Sequence, residues 1–257
     1  MAVIKHRHFS AAILRSQLAY AASAQSLATA KNITARKLRN CRLLLTNYRA
    51  SRQRANSNQG ILLNAIQNQL LQAEKHIDFI EDRSVLFQLE ARAARRYWQA
   101  IRLLCNQKPD WKRVYPHARD PLNILFNVGY TFLANQCLTA IMSAGLMPEI
   151  GIMYGDNSGN ALVYDFMECF RQPAVDALVI PIFSRKKISD RESTEKENKI
   201  NAAKIINNRS NRFLYQNRCE RWENIFKNEA VKLRRDILTK KSWLPYQHSW
   251  RHENKCQ

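Results

Sequence analysis

The stretch Leu122-Asn-Ile-Leu-Phe-Asn-Val-Gly-Tyr-Thr-Phe-Leu-Ala-Asn-Gln-Cys-Leu-Thr-Ala-Ile-Met-Ser-Ala144-Gly145 decides the fold. Its apolar residues recur at helical spacing, and Gly145 supplies a C-terminal stop. It predicts a helix over 122–144. The same spacing extends outward in both directions, predicting helices over 12–29, 33–48, 61–79, 84–104, 162–170, 174–180 and 213–238. Ser84 is the expected N-cap of the fourth of these. Polar 51–59, proline-bearing 108–121 and glycine-bearing 148–160 read as loops. Sustained period-2 alternation is nearly absent, so the expected fold is mainly α, and no internal repeat is visible. Four regions follow: a basic helical segment 1–83, a core helical domain 84–182, a charged mobile connection 183–212, and a helix with an aromatic tail over 213–257.

Charge narrows the function classes. The 257 residues carry 41 Lys and Arg against 21 Asp and Glu, a formal net charge of +20. With 46% apolar residues this is a folded chain suited to a polyanion, not a basic tail. No acid precedes Glu74, while eleven basic residues fall between Lys5 and Arg54. Arg36, Arg39 and Arg42 cluster on one side of the second helix, away from Leu38, Leu45 and Tyr48. No run approaches eighteen apolar residues, so no membrane span is expected. The six cysteines are never within four residues of one another, which spells out neither a zinc knuckle nor a redox pair. The first ten residues have no apolar signal region; reduced thiols and a cytoplasmic location are expected. The acid-free head imitates a transit peptide, but its bias runs on to Arg54 and 61–71 reads as core.

Three acids stand out from the basic background: Glu90 among small residues and arginines, and Asp165 with Glu168. The latter two lie three apart on one predicted helix, so both should project from the same face. Such a pair repels unless a cation intervenes, and Mg²⁺ or Mn²⁺ suits carboxylates. A solvated helix face is the bland reading. His6 and His8, His117, and His248 with His252 are weaker metal candidates. Trp243, Tyr246 and Trp250 could stack bases but are expected to pack against the core.

Four motifs, placed along the chain in the family's order, carry a resemblance. Arg119-Asp-Pro-Leu-Asn-Ile-Leu-Phe-Asn-Val-Gly-Tyr130 resembles the Asp-Pro-x-Asn-x-x-x-Asn-x-Gly-Tyr segment of the CRISPR-associated endonuclease family, the integrase subunit of spacer acquisition. Glu90-Ala-Arg-Ala-Ala-Arg95 resembles its first catalytic motif. Ala144-Gly-Leu-Met-Pro-Glu-Ile-Gly-Ile-Met-Tyr154-Gly-Asp156 resembles the loop carrying its catalytic histidine. Tyr164-Asp-Phe-Met-Glu-Cys-Phe-Arg171-Gln-Pro-Ala-Val-Asp176 resembles its Asp-Leu-Met-Glu-x-Phe-Arg-x-x-x-Val-Asp motif. The likeness is specific over 85–182. It is looser before that, where 32–48 resembles the family's basic Lys-x-x-Asn helix.

The resemblance implies a helical catalytic domain with Glu90, Asp165 and Glu168 as catalytic acids. Mg²⁺ or Mn²⁺ would be held by Glu90, the position of Tyr154, and Glu168. It implies attack of a DNA 3′-hydroxyl or water on a metal-polarised phosphate, with Arg92, Arg95 and Arg171 on phosphates. Expected partners are branched DNA or free 3′ ends, a second copy, and a small ferredoxin-like adaptor subunit. Two departures stand out. Tyr154 replaces the histidine, and a phenol is a poor ligand near neutral pH. The family's N-terminal β domain is largely absent from the sequence. A catalytically inactive DNA-binding subunit, or a degenerate relative, is therefore the alternative expectation.

Overall fold

The computed structural model describes residues 10–55, 57–153, 159–184 and 212–250; of 49–55, 57 and 184 only the backbone is described. The chain is mainly α, in the order α1 (Ala11–Ala21), α2 (Ala24–Ala55), α3 (Ser57–His76), α4 (Arg83–Leu104), α5 (Pro121–Ser143), α6 (Ala161–Met167) and α7 (Ala177–Ser184). A two-stranded antiparallel hairpin, β1 (Arg212–Tyr215) and β2 (Arg218–Arg221), then leads into α8 (Trp222–Leu238).

The decisive helix stands where it was read. Asp120 caps it, its carboxylate accepting the Asn123 N–H at 2.9 Å, with Pro121 in the first turn where no amide hydrogen is needed. Gly145 follows its C-terminus at φ +75°, a conformation that glycine adopts without a Cβ penalty. By length and composition α5 could cross a membrane, contrary to the reading of the sequence. Its place is the core: it contacts α6, α7 and α8, and Leu125, Phe126, Leu133, Cys137 and Ile141 are buried.

Other boundaries move. The expected helix 12–29 breaks at Ala22–Ser23, where Ser26 Oγ donates to the Ala21 and Ser23 carbonyls at 2.9 Å each. Hydroxyls that satisfy freed carbonyls let an apolar stripe turn without loss of its spacing. The expected loop 51–59 is largely helical, because α2 runs to Ala55 and α3 starts at Ser57. The cap of α4 is Asp82, not Ser84; its carboxylate accepts the Ser84 and Val85 amides at 2.6 and 3.2 Å. The expected helix from 213 opens instead as the hairpin. Gln216 and Asn217 at its turn both have positive φ, 47° and 63°, as a type I′ turn demands.

Helix α6 ends at Met167, short of the expected 170, and Gln172–Asp176 form a π-helical turn. Pro173 lies inside this turn and has no amide hydrogen to close an ordinary α-turn. Trp243 is buried and stacks on Phe166 at 5.4 Å, and Tyr246 stacks on Phe170 at 6.2 Å, so the tail packs against the core as expected. Cys41, Cys105, Cys137 and Cys169 are free and buried. Cys219 is instead disulfide-bonded: it sits on the exposed edge of the hairpin, outside the core that shelters the other four. The connection expected over 183–212 lies outside the described residues from 185 to 211.

Candidate active site

Two of the three predicted acids meet. Glu90, on the buried face of α4, and Glu168, just past α6, converge on a residue that the sequence reading did not single out, Lys37 of α2. The Lys37 ammonium hydrogen-bonds Glu90 Oε1 and lies 2.8 Å from Glu168 Oε2. Lys37 is 7%, Glu90 8% and Glu168 2% exposed, so water screens this triad little. Arg171 closes the other side, its guanidinium 3.1 Å from Glu168 Oε1. Burial pushes the Glu168 carboxyl up, but Arg171 and Lys37 together outweigh it and hold the group below its ordinary value.

Asp165 does not join them. It is fully buried, and its Oδ2 accepts the backbone amides of Ile152 and Met153 at 2.5 and 2.8 Å. Three-residue spacing fixes where two Cβ atoms stand, not what their carboxylates find. The loop it holds is also tied by Arg83 to the Ile152 carbonyl and by Gln17 to the Met147 carbonyl and amide, at 2.8 and 3.0 Å. Tyr154, next along this loop, lies outside the described residues.

The triad opens on a cleft of about 730 Å³ whose lining includes Lys37, Glu90, Trp98, Arg113, Tyr130, Glu168 and Arg171. Its far wall explains the Asp-Pro-x-Asn-x-x-x-Asn-x-Gly-Tyr segment residue by residue. Asn123, fully buried, accepts from Arg113 and the Val114 amide at 3.0 Å each and donates to the Lys112 carbonyl at 2.8 Å. Asn127 accepts from Arg113 at 2.6 Å. Gly129 lets the π-turn approach, since a Cβ there would lie 2.5 Å from Val175 Cγ1. Tyr130 donates to Asp176 at 2.6 Å, and Tyr97 donates to the other oxygen at 2.6 Å. Arg113 and Arg171 lie over the Tyr130 ring at 5.5 and 5.1 Å, two cation–π contacts. Burial raises Asp176 to about 6, with the two tyrosine hydroxyls and both arginines pulling the other way. Arg113 is a site residue the sequence reading missed; its signal was the asparagine pair four apart that holds it.

The other basic candidates scatter. Arg36 donates to Gln247, and Arg42 pairs with Glu74 at 3.0 Å. Arg39 is half-buried beside them on α2. Arg92 and Arg95 are exposed on the side of α4 turned from Glu90 and line, with Arg96 and α3 residues Gln69, Gln72 and His76, a separate groove of about 800 Å³. His117 is exposed and does not line the cleft. Burial among Phe213, Trp222 and Trp250 takes His248 down to about 4, which marks a packing role. His6, His8 and His252 lie outside the described residues.

Among the described residues no three His, Cys, Asp or Glu side chains gather as a metal cluster. The donor set that does exist is two carboxylates converging on one cation position. Glu168 Oε2 there is buried without a hydrogen bond of good geometry among the described residues. Two carboxylates with water suit Mg²⁺ or Mn²⁺, so the residues fit a divalent ion once Lys37 stands aside.

The comparisons agree on one kinship. Curated relatives include CRISPR-associated endonuclease Cas1 1 from Archaeoglobus fulgidus, 31% identical over 192 residues, or 66% of this chain and 53% of that protein. The protein of the same description from Moorella thermoacetica is 30% identical over 179 residues, 68% of this chain and 52% of that protein. The chain thus spans about half the length of these relatives. Among solved structures, a casposase bound to integration product superposes with TM-score 0.70 at 21% identity, covering 91% of this chain and 71% of that one. A Cas1 protein from Thermotoga maritima gives TM-score 0.69 at 17% identity, covering 92% and 75%. These structural likenesses concern the fold. The sequence profile described as CRISPR associated protein Cas1 matches residues 2–216, and the chain belongs to the Cas1 family.

Proposed function

We propose that this chain supplies the helical catalytic region of a metal-dependent DNA endonuclease and integrase of CRISPR adaptation, inserting spacers by 3′-hydroxyl attack on a phosphodiester. The observation that carries the reading is the convergence of Glu90 and Glu168, from separate elements, on one cation position in a cleft walled by arginines. When bound there, Mg²⁺ or Mn²⁺ would polarise the scissile phosphate. Glu90 and Glu168 would hold it. Arg171 keeps Glu168 ionised and turned inward, while Tyr130 and Asp176 keep Arg171 and Arg113 facing the cleft, where they meet phosphate oxygens. Asp165 acts one step back, by fixing the loop that leads to Tyr154.

Support for the partners comes from relatives: the fold neighbours include a chain of a Cas6-RT-Cas1–Cas2 complex, at TM-score 0.73 and 21% identity, covering 91% of this chain and 26% of that one. DNA with branches or free 3′ ends, a second copy and a small ferredoxin-like adaptor subunit are the proposed partners, in the cytoplasm. The test incubates the purified chain, with and without the adaptor, with branched DNA and Mn²⁺. Metal-dependent strand transfer abolished by Glu90→Ala supports the reading. Salt-sensitive binding without product, and strand transfer gained on Tyr154→His, would instead establish an inactive DNA-binding subunit, the reading that Lys37 between the acids favours. Absence of DNA binding at low salt would refute both.

A further inference from the structure

Lys37 occupies a position that helical spacing reserves for the core. On α2 it falls in the buried stripe of Ile33, Asn40, Cys41 and Leu44, and Asn40 donates to the Cys169 carbonyl at 2.9 Å beside it. A buried lysine is costly unless paired. Its pairing here is double, with Glu90 and Glu168, and Arg171 supplies the second positive charge to the same group. Among the described residues, these two acids and two bases form a cluster of balanced charge. A divalent ion added with Lys37 in place would raise it by two charges. The neighbouring acids have oxygens engaged elsewhere: Asp165 Oδ2 accepts two backbone amides and Asp176 accepts from two tyrosines. The ammonium and a divalent ion also need the same oxygens. They exclude each other.

We propose that Lys37 is a built-in competitor for the metal: its ammonium fills the cation position of the ion-free chain, holds the two carboxylates together, and must leave before a divalent ion can bind. The inference rests on the metal-site reading above and goes beyond it. Lys37 stabilises the ion-free fold at the expense of metal affinity. Its four-carbon stem lets the displaced ammonium swing out into the open cleft that Lys37 already lines.

The test measures Mn²⁺ affinity of the full chain by calorimetry, with thermal unfolding in EDTA and in Mn²⁺ alongside. Lys37→Gln keeps a donor between the acids and removes the charge. It is expected to bind Mn²⁺ at least tenfold more tightly than the parent chain, to melt lower in EDTA, and to regain its Tm in Mn²⁺. If the variant is unfolded in EDTA, refolding on Mn²⁺ addition is the supporting result, and failure to refold overturns the proposal. The double variant Lys37→Gln, Glu90→Gln should lose the tightening; if it keeps it, the proposal falls. Equal or weaker Mn²⁺ binding by Lys37→Gln, with the parent chain binding normally, sinks this inference alone. No Mn²⁺ binding by any form removes the metal-site reading and this inference with it.

Discussion

Replacing Gly129 by alanine isolates the contact that seats the π-turn against α5. The new Cβ would lie 2.5 Å from Val175 Cγ1, against the 3.4 Å or more of an ordinary contact, so one helix must give by roughly 1 Å. Val175 cannot step aside: it is 2% exposed, and a β-branched side chain in a helix has one favoured rotamer. Overpacking of this kind costs about 3 kcal/mol, the upper end of the usual range. Alanine returns about 1 kcal/mol of helix propensity. The net loss of about 2 kcal/mol lowers Tm by roughly 4–8 °C in a chain of this size. Trimming Val175 to alanine removes the clash and costs about 1–3 kcal/mol of its own through lost burial. The double variant should therefore be more stable than the sum of the singles by about 2–3 kcal/mol. Denaturant unfolding of the four proteins measures this. A Gly129→Ala variant as stable as the parent, or strict additivity with Val175→Ala, refutes the packing argument.

Asp176 makes a pH prediction. Its folded value of about 6 stands above 3.8, so the folded state holds the proton more tightly and stability falls as pH rises from about 4 to about 6. Asp176→Asn lacks this dependence; the stability difference between the two proteins should change by up to about 3 kcal/mol across that window, read from urea melts at stepped pH. Asp165→Asn should lower Tm, because both amides of the 152–153 loop lose a charged acceptor, while Mn²⁺ affinity stays put; a large loss of metal affinity would restore Asp165 as a ligand. Joint replacement of Arg92 and Arg95 by alanine should weaken DNA binding regardless of sequence and reduce the slope of log affinity against log salt by about two; an unchanged slope removes that groove from the DNA path.

How legible all this was depends on how local the cause is. Helix α5 and its stop at Gly145 were plain, because apolar spacing, Asp120-Pro121 and a glycine act within a turn of one another. The break at Ser23 was hidden, since the apolar stripe survives it. So was the hairpin, whose turn residues Gln216 and Asn217 take positive φ without a glycine to announce it. At the candidate site, motif order put Glu90 and Glu168 forward, yet it could not separate Asp165 from them. Only the tertiary partners decide that, and those of Asp165 include the backbone at 152–153. Lys37 did leave a trace, a lysine on the apolar face of its helix. That trace means something only when Glu90 and Glu168 are seen to reach it.

The stretch beyond α8 ties the two ends of the described chain together. Tyr20 donates to the Lys241 carbonyl at 2.9 Å, the Trp243 amide donates to Thr29 at 2.9 Å, and Asn32 donates to the Trp243 carbonyl at 2.9 Å. Each bond closes a circuit of more than two hundred residues. At ribosomal speeds of about 5–20 residues per second, α1 and α2 wait roughly 10–40 s for these partners to emerge. The described fold is therefore closed by its last segment: until Trp243 is in place, Thr29 and Asn32 of α2 lack the partners that bury them against it.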